Sequence, residues 1–222
     1  MIRLYLMIFL LIVTQVSYAA DIGSDTMDFK FILELVLILI VTVLFFAERR
    51  HLISKHKAEL EKLSDTDTLT GVYSRNKLDD TLFFHENSVK RYKSFFSVIL
   101  LDIDNINIIN DKHGQHSGDV LLQDVSKILS QAIRSSDVVG RWGSDEFMII
   151  CAHTNEKNAL SLAEKLRRRI HMYKFDKVGK VTASFGVSEY NDSKKSLDEL
   201  VANANKALKD AKKYGKNQCS VH

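Results

Sequence analysis

The chain has 222 residues, 45% of them hydrophobic and 27% charged, enough to bury one good-sized domain with residues left for something else. Its net charge of +3 and pI near 8.7 owe much to lysines that follow an apolar segment and to lysines in the tail; these read as solvated or membrane-facing, and no nucleic-acid partner is expected. The two cysteines, Cys151 and Cys219, sit at a strand position and a tail position and read as unpaired packing and surface residues, which argues against a disulfide framework.

Two dense apolar runs occupy the first fifty residues, at 4–16 and 31–47. The second approaches the roughly 20 residues that a helix needs to cross the hydrocarbon core, and predicts a transmembrane helix over 31–47. Glu34 lies close to its outer end, where its carboxylate can reach the interface. The first run follows Arg3 and ends in Ser17-Tyr18-Ala19-Ala20, so residues 1–20 form either a cleaved signal peptide or the first arm of a helical hairpin. A short periplasmic loop over 21–30 would join them. Arg49, Arg50, His51, Lys55 and Lys57 follow the second run, and the loop before it is mostly acidic. The positive-inside rule therefore places the rest of the chain in the cytoplasm, at a bacterial inner membrane. Residues 48–65 read as a charged helix with Ile53, Leu60 and Leu63 at heptad-compatible spacing, either a short coiled coil or a solvated helical spacer.

From residue 66 to 222 the periodicity alternates. Helices are predicted over 76–84, 120–133 and 158–172, and a last one through Leu197, Leu200, Val201, Ala204, Leu208 and Ala211. Strands are predicted over 95–101, 137–142, 147–152 and, from the alternation of Val181, Ala183, Phe185 and Val187, near 181–187. The order implies an α+β domain, a sheet with helices on its faces. No proline occurs anywhere.

Chemistry collects at strand ends. The strand over 95–101 runs into Asp102-Ile103-Asp104, with the two acids on one face. The stretch GRWGSDEFMIICA (140–152) places Asp145 and Glu146 in a tight turn before a buried strand. If the two strands are neighbours, carboxylates from both converge, and such a cluster calls for a divalent cation: Mg2+ prefers one or two carboxylates together with substrate phosphates. Nucleotidyl transfer is the implied chemistry.

Five segments carry a more specific signal: DTLTGVYSRNKLDD (67–80), DIDNINIINDKHGQHSGD (102–119), RSSDVVGRWGSDEF (134–147), TASFGVS (182–188) and ANKALKDAKKYGKNQ (204–218). In order and spacing they resemble the motifs of GGDEF-domain diguanylate cyclases. The resemblance implies a mainly antiparallel sheet flanked by helices, similar to the nucleotide-cyclase and polymerase palm. It also implies a homodimeric, Mg2+- or Mn2+-dependent enzyme that condenses two GTP into cyclic di-GMP and two pyrophosphates, each domain carrying one GTP. By the same resemblance, Asp102, Asp145 and the Ile103 carbonyl would bind metal, Asp145 would act as general base with Glu146 beside it, and Gly143 and Ser144 would approach the nucleotide. Asn110 and Asp119 match guanine readers, Lys212 and Lys216 match the pair that holds terminal phosphates, and Arg134 with Asp137 resembles an inhibitory product site.

The chain departs from the family pattern at several positions. Ser144 replaces the second glycine of the turn, which is expected to cost about 1 kcal/mol if its φ is positive. Asn107 stands where a lysine is usual, Gln115 replaces a histidine, and Lys216 replaces an arginine. A catalytically degenerate domain that binds GTP or cyclic di-GMP, or serves as an interaction module, is the alternative.

Overall fold

The computed structural model describes residues 27–191 and 196–222 and, within its first helix, the side chains of residues 36–54. The chain divides into two compact units, Met1–Leu60 and Glu61–His222. The first run, at 4–16, lies outside the described residues. A single helix, α1, covers Met27–Leu63. Among the described residues, no helix is long and apolar enough to cross a membrane. Of the segment expected to span a membrane, 31–47, the structure shows that it is helical and that it belongs to a longer helix that runs unbroken into Glu48, Arg49 and Arg50.

The second unit follows the order α2 (Arg75–Tyr92), β1 (Phe96–Ile103), α3 (Ile106–His113), α4 (Gln115–Ser130), β2 (Val138–Arg141), β3 (Glu146–Ala152), α5 (Glu156–Met172), β4 (Ala183–Tyr190), α6 (Leu197–Lys213) and β5 (Cys219–Val221). The strands form one mixed sheet in the order β2-β3-β1-β4-β5. All pairs are antiparallel except β4 with β5.

β1 is central and buried along its whole length, which is why FSVILLDI reads as an almost unbroken apolar run rather than an alternating one. Its residues nonetheless divide between two layers. Ile99, Leu101 and Ile103 pack in one core with Val125 and Leu129 of α4 and Ala163, Leu166 and Ile170 of α5. Phe96, Val98 and Leu100 pack in the other with Leu78 and Leu82 of α2 and Leu200, Ala204 and Leu208 of α6.

Local chemistry sets the helix starts. Asn155 accepts from the backbone N–H of Asn158 at 3.0 Å to open α5, and Ser196 and Glu199 form a reciprocal capping box at the start of α6. The approach of α6 to β4 depends on one glycine. A Cβ on Gly186 would stand 2.1 Å from the Ala204 carbonyl oxygen and 2.3 Å from the Leu208 nitrogen, so only a hydrogen lets the helix lie this close. One turn beyond Leu208, the same helix delivers Lys212 to the end of β1.

Candidate active site

The register places the acids. Asp102, the seventh residue of β1, sits opposite Glu146 of β3 and opposite Ser184 of β4. Glu146 is therefore the first residue of a strand and not part of the turn, a correction to the sequence reading; the backbone N–H groups of Trp142 and Gly143 both donate to its carbonyl, at 2.8 and 3.2 Å. Asp145 remains in the turn and joins Asp102, Ile103, Asn107, Lys212 and Lys216 in lining a cleft of about 260 Å³. The convergence expected from the sequence thus holds for Asp102 and Asp145.

Electrostatics in the cleft are unbalanced. Asp102 is only 7% exposed, and burial pushes its carboxyl up to about 6 against the attraction of the Lys212 ammonium; the negative charges of Asp145 and Glu146 push it further in the same direction. Lys212 Nζ lies 2.6 Å from Asp102 Oδ2. Lys216, with the left-handed φ of 61°, donates to Asn105 Oδ1 at 2.5 Å.

Asp104 is spent elsewhere. Its buried carboxylate accepts from Thr182 Oγ1 at 2.6 Å, Ser184 Oγ at 2.7 Å and the Asn217 backbone N–H at 3.0 Å. It ties β1 to the approach to β4 and to the segment after α6, and so fixes where Lys216 begins its reach. Sequence reasoning missed this role, and it missed Asn105, whose φ of 62° and small amide suit the turn out of β1.

Neither Gly143 nor Ser144 adopts a positive φ, so the backbone cost expected for serine at 144 does not arise. Ser144 Oγ instead donates to Asp145 Oδ1 at 2.6 Å. The turn is held from behind by Arg141, which donates to the Ser144 carbonyl at 2.5 Å and to both Asp67 oxygens at 3.3 Å.

The predicted guanine readers lie on α3 and α4. Asn110 Oδ1 is buried with no hydrogen-bond partner, beside Gly118, where an added Cβ would stand 1.9 Å from it. Asp119 accepts from Gln115 Nε2 at 3.3 Å. Arg134 and Asp137 close a turn instead of an ion pair: the Arg134 backbone N–H donates to Asp137 Oδ2 at 3.1 Å and the Asp137 N–H to the Arg134 carbonyl at 3.0 Å.

No group of three or more His, Cys, Asp or Glu side chains able to hold a metal occurs among the described residues. The donor set is two carboxylates and a carbonyl, which suits a hard cation that keeps waters or phosphate oxygens as its other ligands. Positive charge is already accommodated there: the Lys212 ammonium lies against Asp102.

Residues 64–218 match the family model described as "Diguanylate cyclase, GGDEF domain". The chain belongs to the GGDEF-domain family. Diguanylate cyclase A of Treponema denticola is 31% identical over 176 residues, covering 76% of this chain and 47% of that protein. The probable diguanylate cyclase DgcC of Escherichia coli is 30% identical over 171 residues, covering 76% and 46%. The chain thus spans about half the length of these curated relatives. Among solved structures, the active GGEEF domain of a diguanylate cyclase from Vibrio cholerae superposes with a TM-score of 0.64 at 30% identity, covering 67% of this chain and 96% of that one. The GGDEF domain of DgcB from Caulobacter crescentus, solved in complex with c-di-GMP, superposes with a TM-score of 0.68 at 22% identity, covering 71% and 95%; it shares the fold.

Proposed function

We propose that this GGDEF domain is a diguanylate cyclase that condenses two GTP into cyclic di-GMP. The observation that carries the reading is the cleft where Asp102, Asp145, Lys212 and Lys216 meet, acids for a cation beside ammonium groups for phosphates. In each half-reaction a 3′ hydroxyl oxygen bonds to the α-phosphorus of the other GTP, the bond to the β-phosphate oxygen breaks, and pyrophosphate leaves. Two domains must face each other, so the working form is a homodimer.

Asp145 takes the hydroxyl proton, with its carboxylate held by Ser144. Asn110 and Asp119 read guanine: the buried Asn110 Oδ1, without a partner in the protein, is an acceptor that a guanine N–H satisfies. Lys212 and Lys216 hold the terminal phosphates. Asp102, Asp145 and the Ile103 carbonyl would hold Mg2+ or Mn2+, which when bound neutralises charge on the phosphates and favours ionisation of the attacking hydroxyl. Exposed Arg134, with Asp137 at its turn, offers a fork for the product.

Attachment at the cytoplasmic face of an inner membrane is part of the proposal. It is supported by the apolar run at 31–47, whose Leu39, Val43 and Phe46 side chains are exposed, and by the basic residues directly after it.

A degenerate domain that binds nucleotide without turnover is the second reading, favoured by Asn107, which brings no charge to the cleft. Chromatographic analysis of the purified full chain with GTP and Mg2+ or Mn2+, beside Asp145→Ala, decides between them. Cyclic di-GMP made only by the unmutated protein is expected; saturable GTP binding without product would replace the cyclase with the second reading.

A further inference from the structure

Lys212 rests on a carboxylate that the proposed function gives to a metal ion. A residue meant for terminal phosphates is here 2.6 Å from the buried carboxylate of Asp102, with side-chain exposures of 36% for the lysine and 10% for the aspartate. Lys216 behaves differently, since its ammonium is given to a neutral amide, Asn105. Asp102 lies opposite Glu146 in the sheet and lines the cleft together with Asp145, so a positive charge beside it offsets the repulsion among these acids. Lys212 supplies that charge.

We infer that Lys212 has two stations: it is the counter-ion of Asp102 in the free protein and moves to nucleotide phosphate when a divalent cation takes Asp102. The inference rests on the reading of Asp102 as a metal ligand. The ammonium and the metal compete for the same carboxylate, so the free domain holds metal weakly. Incoming phosphates draw the ammonium away and vacate Asp102, which couples metal binding to nucleotide binding in both directions. Lysine suits the task because its compact charge rides on a flexible four-carbon stem. Its position in the last turn of α6 lets that stem swing without disturbing the Leu208 and Gly186 contact one turn earlier.

The consequence is a pair of effects with opposite signs. Removing the Lys212 charge should tighten binding of the metal alone and weaken binding of the nucleotide. We would titrate Mn2+ into the nucleotide-free full chain and follow the free-ion signal by electron paramagnetic resonance, comparing wild type, Lys212→Met and Lys216→Met. A gain of about tenfold in Mn2+ affinity is expected for Lys212→Met, with little change for Lys216→Met, while a non-hydrolysable GTP analogue binds Lys212→Met more weakly. Unchanged or weaker Mn2+ binding in Lys212→Met would overturn the inference and leave the metal site standing. Absence of Mn2+ binding in all three proteins would overturn both.

A second measurement needs no variant. In wild type, Mn2+ should increase the rate at which an acylating reagent labels Lys212, read by peptide mass spectrometry against labelling of the exposed Lys93. Labelling that Mn2+ leaves unchanged would show that the ammonium never leaves Asp102.

Discussion

The hydroxyl of Ser144 donates to the Asp145 carboxylate at 2.6 Å from a backbone whose φ is negative. The turn therefore does not need glycine at this position, and the serine adds a hydrogen bond. Ser144→Gly should lower stability by about 0.5–1 kcal/mol, because glycine frees the unfolded chain without relieving strain. Urea denaturation checks the sign; a more stable Ser144→Gly protein would mean that the serine is strained after all.

Arg141 connects the turn to Asp67, whose Oδ1 also accepts from the backbone and hydroxyl of Thr70 at 2.8 and 2.6 Å. Arg141→Ala leaves the half-buried Asp67 carboxylate short of a donor and the Ser144 carbonyl unheld. A loss of about 1–3 kcal/mol is expected, together with at least about a tenfold drop in cyclic di-GMP formation as Asp145 loses its fixed position. Arg141→Lys should restore little, because one ammonium does not reproduce the two-directional fork.

Two glycines are close-approach positions with different consequences. At Gly186 a methyl group meets helix backbone, which cannot yield locally, so Gly186→Ala should cost about 3 kcal/mol or more. At Gly118 the obstacle is the Asn110 side chain, which can rotate. Gly118→Ala should stay within about 1 kcal/mol of wild type in stability yet weaken binding of a GTP analogue, measured by calorimetry, by about fivefold or more.

Asp102 gives a pH signature in metal-free protein. Its carboxyl is raised to about 6, so the folded state binds its proton more tightly than the unfolded chain does. Stability from this group is complete below the unfolded value near 4 and is lost as pH rises through 6. In EDTA, Asp102→Asn should melt higher than wild type at pH 7.5, by up to about 3 kcal/mol in stability, and the difference should close toward pH 4. Adding Mg2+ should raise the melting temperature of wild type only. Parallel pH curves for the two proteins would remove the buried-charge account.

Some of the site was legible because it is local. Asp102 at the end of an apolar strand and Asp145 in a turn between two strands follow from adjacency and period alone, whereas Lys212 is singled out only by the resemblance of its motif. Other parts were hidden. The helix α3, INIINDKH, mixes three isoleucines with two asparagines and gives no clean period, and β5 has three residues and exists only as a parallel partner to β4. The use of Asp104 as a strut could not be read, because its partners Thr182, Ser184 and Asn217 are about 80 to 110 residues away.

The sequence by itself determined the α+β alternation, the family motifs and which residues carry charge, since these depend on side-chain chemistry and near-neighbour spacing. Only the tertiary structure decided which acid of the cleft pairs with an ammonium and which is taken up by hydroxyls and a backbone N–H, that Ser144 costs nothing in backbone, and that Lys212 rests on Asp102. Those outcomes depend on burial and on strand register, and both arise only when distant segments pack and remove water from between them.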